Sequence, residues 1–196
     1  MAPAVTLRRY RQTMFIIKRR GLASVALAVV ALASSAAPAL AGRPSGRAAQ
    51  KGASVHALLS SRELWATIDV CSPTDQPNTV GIRGSMPGDG LAHDRMYMSF
   101  RLQYLTATGQ WLDLVSGATP VFAPVGAGAT PRQSGRSFQL VPVPGKPSAT
   151  LRGVVDFQWR RGSTIIAATE RPTTVGHVSL AGADPATFSA ASCVIG

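Results

Sequence analysis

In LRGVVDFQWRRGSTIIAATERPT, residues 151–173, the apolar side chains return every second position: Val155, Phe157 and Trp159 fall on one face. That period belongs to a strand with one face in a core, because successive Cβ atoms point to opposite sides of a sheet. Arg161-Gly162 then marks a turn, and a return strand runs from Thr164 to about Thr169. Pro172, which has no N–H to give to a ladder, ends it. The stretch predicts a β-hairpin.

The same period recurs upstream. In RMYMSFRLQYL (95–105), Met96, Met98, Phe100, Leu102 and Tyr104 share a face, and Ser99, Arg101 and Gln103 share the other. A turn at Ala107-Thr108-Gly109-Gln110 joins it to WLDLV (111–115) as a second hairpin. Further strands are expected at ELWATIDVC (63–71), TVGIRGSM (79–86) and SFQLVPV (137–143), the last cut short or placed on an edge by Pro142 and Pro144. GATPVFAPVGAGATPRQSG (117–135) reads as a long loop holding one short strand at Val121-Phe122. The only helical signal beyond the leader is one turn at Asp184-Pro185-Ala186-Thr187-Phe188. About seven short strands with closely spaced turns predict an all-β domain, an antiparallel immunoglobulin-like sandwich over residues 61–196.

The first 41 residues are of another kind. Six Lys/Arg and no acid precede a run of small apolar residues from Gly21, and the run closes in Ala39-Leu40-Ala41. This is the pattern of a secretory signal peptide with small residues where the peptidase reads, so cleavage is expected between Ala41 and Gly42. The rival reading is an uncleaved anchor, but the run is mostly alanine, which contributes little to membrane insertion. Arg8-Arg9 and Arg19-Arg20 lack the continuation of a twin-arginine signal. Residues 42–60, rich in Gly, Ser, Ala and basic groups, are expected to form a flexible basic spacer.

The formal charge of +11 suggests nucleic acid, yet six of the twenty Lys/Arg lie in the leader and three more (Arg43, Arg47, Lys51) in the spacer. Residues 61–196 keep eleven basic against nine acidic groups and no basic block interleaved with aromatics, so a phosphate-tracking surface is not expected. Export also decides the cysteines. Two thiols in an oxidising compartment, with no CxxC or Cys/His cluster, point to one disulfide, Cys71 to Cys193.

The hairpin FQWRRGSTIIAATERPT resembles the paired late strands of bacterial immunoglobulin-like or fibronectin III-like modules. With LWATIDVC, GIRGSMPG, RMYMSFRLQY and GADPATFSAASC, the span from Leu64 to Cys193 is similar to small exported proteins of the actinobacterial type. The resemblance implies a fold and no assigned activity. It departs from antibody domains: no Cys…Trp…Cys spacing occurs, and Phe188 has no hydroxyl for a tyrosine corner.

Catalytic signatures are missing. There is no GxSxG elbow for a serine nucleophile, and GAGAT (126–130) runs into Pro131, so it cannot open a phosphate-binding helix. His56, His93 and His177 have no second ligand at metal spacing. No metal, cofactor or catalytic residue is expected. The candidate binding loop is RGSMPGDGLAHDR (83–95), where Arg83, Asp89, His93, Asp94 and Arg95 lie beside glycines. The expectation is a non-catalytic domain at the cell surface or in the medium, binding an unidentified ligand and meeting membrane only during export. A secreted hydrolase with paired carboxylates and a tethered accessory protein are the alternatives.

Overall fold

A computed structural model describes residues 6–7, 51–115, 120–177 and 182–196. The leader's cleavage residues Ala39, Ala41 and Gly42 and the spacer up to residue 50 lie outside the described residues. In chain order the elements are β1 (Thr6–Leu7), α1 (Val55–Leu59), β2 (Trp65–Cys71), β3 (Thr79–Met86), β4 (Arg95–Leu105), β5 (Trp111–Asp113), β6 (Ala123–Ala127), β7 (Arg132–Val141), β8 (Ala149–Arg161), β9 (Thr164–Pro172) and β10 (Cys193–Ile195). The domain is all-β: nine strands from Trp65 onward form two sheets, and every strand pairing is antiparallel.

One sheet runs β7-β3-β2, with the two residues of β1 paired to Leu140 and Val141 at the outer edge of β7. The other is built on the long β4–β8 ladder, which pairs Arg95 with Arg160 through to Tyr104 with Leu151. On its far side β8 carries β9 and β10; on its own far side β4 carries β5 and β6. The alternation read from the sequence decides which residues face inward. Met96, Met98 and Leu102 of β4 and Leu151, Val155, Phe157 and Trp159 of β8 are buried against Ile68 of β2 and Val80 and Ile82 of β3. A Cβ on Gly84 would meet Val155, Met98 and Phe157 at 3.0–3.3 Å, and one on Gly153 would meet Ile82 at 2.7 Å, so the two sheets pack closely at both glycines. Both hairpin turns use glycine in the left-handed region, Gly109 at φ 79° and Gly162 at φ 59°.

Cys71, at the end of β2, is bonded to Cys193, at the start of β10, so the disulfide joins one sheet to the other across 122 residues.

Four expectations are corrected. The last ten residues of the spacer belong to the domain: Ser54 caps α1, and Leu58, 2 % exposed, joins the core. The strand placed at Val121-Phe122 lies at Ala123–Ala127 instead. Strand β7 starts at Arg132 rather than Ser137, since its polar first half pairs with β3 along one side only. Residues 184–188 form a turn, with Phe188 N–H on the Pro185 carbonyl and Thr187 at φ 70°, a value no right-handed helix holds.

Candidate functional site

The loop between β3 and β4 is tied down along its length. The Pro87 carbonyl accepts from the indole N–H of Trp159 at 2.9 Å, and the Asp89 carbonyl accepts from Ala53 N–H at 2.7 Å. Gly90 N–H donates to the Gly128 carbonyl, and Gly128 N–H donates to that of Asp94. Asp89 turns its side chain back on its own loop, Oδ1 accepting from Leu91 N–H at 2.9 Å. A Cβ at Gly128 would run into that carboxyl oxygen, so glycine is the residue that fits.

Three of the predicted residues converge here: Asp89, His93 and Asp94. Their fourth member is Arg161, from the β8–β9 turn, whose Nε and Nη2 donate to the two carboxylate oxygens of Asp94 at 2.9 and 2.8 Å. His93 Nε2 stands 3.2 Å from Asp94 Oδ1. Asp94 is 0 % exposed and Asp89 3 %. The Arg161 fork holds Asp94 below the usual carboxylate range, against the opposing effect of burial. Burial pushes Asp89 up against the Leu91 N–H, and the neighbouring Asp94 adds to the rise. Asp89 Oδ2 has no hydrogen-bond partner, and the adjacent Asp94 carboxylate disfavours a second charge beside it. The two carboxyls therefore titrate unequally, Asp94 giving up its proton before Asp89. Both carboxyls are buried, and the Arg161 fork on Asp94 locks the loop to the β8–β9 turn.

The two carboxyls couple to pH with opposite sign. The stability contributed by Asp94 is present above the ordinary carboxylate value and lost as pH falls through its depressed one. That contributed by Asp89 is present below the ordinary value and lost as pH rises through its raised one. Asp89→Asn removes the raised carboxyl and offers an N–H donor to Asp94. Its urea midpoint is expected to match or exceed that of the parent at neutral pH, with the difference closing on acidification. Asp94→Asn is expected to lower the midpoint at neutral pH, and its deficit also shrinks as acid removes the parent's charge. A pH dependence of stability that both variants leave intact would rule out this assignment.

The other two predicted residues go elsewhere. Arg83, on β3, donates from Nε to Asp69 Oδ2 of β2 at 2.9 Å and lines a shallow depression with Gly135 and Gly182. Arg95 opens β4 and stands on the outer face of the other sheet. Among the described residues no three His, Cys, Asp or Glu side chains stand close enough to hold a metal.

That outer face escaped the sequence. Arg160 stacks over Tyr97 at 4.2 Å and over Phe122 at 5.4 Å, with Nε on Gln158 Oε1. Arg152 stacks over Trp111 at 4.5 Å, with Nε on Gln103 Oε1 at 2.9 Å. Between them Arg101 binds both oxygens of Asp156 at 2.6 Å and reaches Glu170 and Asp113. Its charge is held against burial by Asp156 and Glu170, while burial makes the Arg152 proton easier to lose. The only signal in the sequence was the polar half of each alternation, and that half does not say which arginine meets which carboxylate.

No protein-family model, curated protein or solved structure matches the chain. Among the described residues no helix is long and apolar enough to cross a membrane.

Proposed function

We propose that the chain is an exported, non-catalytic binding domain of immunoglobulin-like kinship, acting at the cell surface or in the medium through the outer face of its β4–β8 sheet. One observation carries this reading: that face presents two guanidiniums, Arg152 and Arg160, each stacked on aromatic rings and held by a glutamine rather than a carboxylate. Stacking and amide hydrogen bonds fix an arginine without neutralising it, so its remaining N–H groups stay available to a ligand. The leader pattern and the disulfide support an oxidising, extracytoplasmic setting.

The test is co-sedimentation of the purified protein with insoluble cell-envelope material. The parent is expected in the pellet, and Trp111→Ala combined with Arg152→Gln is expected to lower the retained affinity about tenfold, the scale of one stacked, ligand-paired arginine. Equal retention of parent and variant, or a parent that stays in the supernatant, would sink the proposal.

A further inference from the structure

The geometry points to an oxyanion-binding site formed by Arg95 and Arg160, which takes a polymer bearing spaced carboxylate or phosphodiester groups. Arg95 and Arg160 are directly paired in the β4–β8 register, and their alternation places both on the outer face. Side chains opposite each other in an antiparallel ladder have Cβ atoms about 4.5–5.5 Å apart, and like charges in that relation are destabilising. Among the described residues neither guanidinium has a carboxylate within 4.0 Å. The acid next to Arg95 in the chain, Asp94, is engaged by Arg161, and Asp156, farther along β8, by Arg101. Two cations thus stand opposite each other in the register, neither of them in an ion pair among the described residues.

Arg160 is also set in position before any ligand arrives. Tyr97 and Phe122 support its plane, and Gln158 Oε1 takes Nε and Nη2, which leaves the Nη1 edge uncommitted. A fork held that way loses little freedom on meeting an oxyanion. Arg152 on its Trp111 ring repeats the arrangement eight residues along β8, about 26 Å away at strand rise. Two basic stations on one sheet face suit a long ligand with spaced charges, and the acids gathered around Arg101 disfavour one charged continuously between them. This inference rests on the proposed binding role of the same face and adds the ligand's chemistry to it.

The experiment is calorimetric titration of the purified chain with sodium polygalacturonate, with poly(glycerol phosphate) and with neutral dextran, at low and at physiological ionic strength. Binding to either charged polymer, weakened by salt and absent with dextran, is expected. A response to polygalacturonate assigns carboxylate, and one to poly(glycerol phosphate) assigns phosphodiester. Arg95→Gln and Arg160→Gln are each expected to lower the affinity about tenfold. Arg95→Gln is also expected to hold or raise the thermal midpoint of the free protein, because it removes a repulsion; a purely structural Arg95 would lower it. Binding indifferent to both substitutions, equal binding to dextran, or a destabilised Arg95→Gln overturns the site. A parent that pellets with envelope material yet binds neither polymer overturns the oxyanion site and leaves the binding role standing. A parent that does neither overturns both.

Discussion

Replacing Cys71 and Cys193 together by alanine is expected to lower the unfolding free energy by about 3–5 kcal/mol. The bridge closes a loop of 122 residues, which the chain-entropy relation values at about 5 kcal/mol, and the lower bound allows for residual structure in the unfolded chain. Alanine is the better probe, since Cys193 is buried and serine would carry a hydroxyl into the core. The loss belongs to the unfolded state. In the folded state the segment carrying Cys193 has other attachments: Ala190 exchanges backbone hydrogen bonds with Ile68, Thr173 Oγ1 donates to the Ala191 carbonyl, and β10 pairs with β8. The variant is therefore expected to keep its native circular dichroism and amide protection near Ala190 while its urea midpoint falls. Its denaturant slope should rise, as a chain freed of a long cross-link exposes more surface. A loss under about 1 kcal/mol would mean that the unfolded chain is already compact without the bridge.

The disulfide was legible because two cysteines behind a leader of secretory pattern leave few alternatives, and β4 and β8 were legible because each buries most of one face. Met96, Met98 and Leu102 on one strand and Val155, Phe157 and Trp159 on the other are written at period two and buried at period two. Where burial is partial the pattern fades. Leu58 enters the core from a helix of five residues, too short for a period to be read, and its neighbours are the small and basic residues of a spacer. Strand β7 begins with Arg132, Gln133, Ser134 and Gly135, held by β3 on one side, so nothing apolar marks its start.

The candidate loop was half legible for a related reason. Asp89, His93 and Asp94 are local to one another and come together in the loop, but the group that lowers the Asp94 carboxyl, Arg161, stands 67 residues from it. Arg83 and Arg95 bracket the point where the chain leaves one sheet for the other, so residues twelve positions apart end on different sheets. The arginine–aromatic face depends wholly on register, since Arg160 finds Tyr97 only once β4 and β8 are aligned.

Trp159→Ala is expected to cost about 3–5 kcal/mol, the range for truncating a large aromatic in a packed core. Trp159 is 0 % exposed, faces the buried Met96 on β4, and is the largest of the fully buried side chains among the described residues. It also has a second role, because its indole N–H satisfies the carbonyl of Pro87, the first residue after β3 and the start of the loop that carries Asp89 and Asp94. Trp159→Phe separates the two. It keeps most of the packing and removes the donor, so its expected cost is that of a buried carbonyl left unpaired, about 1–3 kcal/mol. Urea unfolding followed by far-ultraviolet circular dichroism measures both variants without relying on tryptophan emission. Because the loop is anchored at Pro87 and again at Arg161, the phenylalanine variant should also shift the acid limb of the stability profile, where Asp94 titrates, while retaining its cooperative transition. If alanine cost no more than phenylalanine, the hydrogen bond rather than the core volume would account for the position. If phenylalanine cost nothing, the loop would be held by Arg161, Ala53 and Gly128 alone, and the indole would serve packing only.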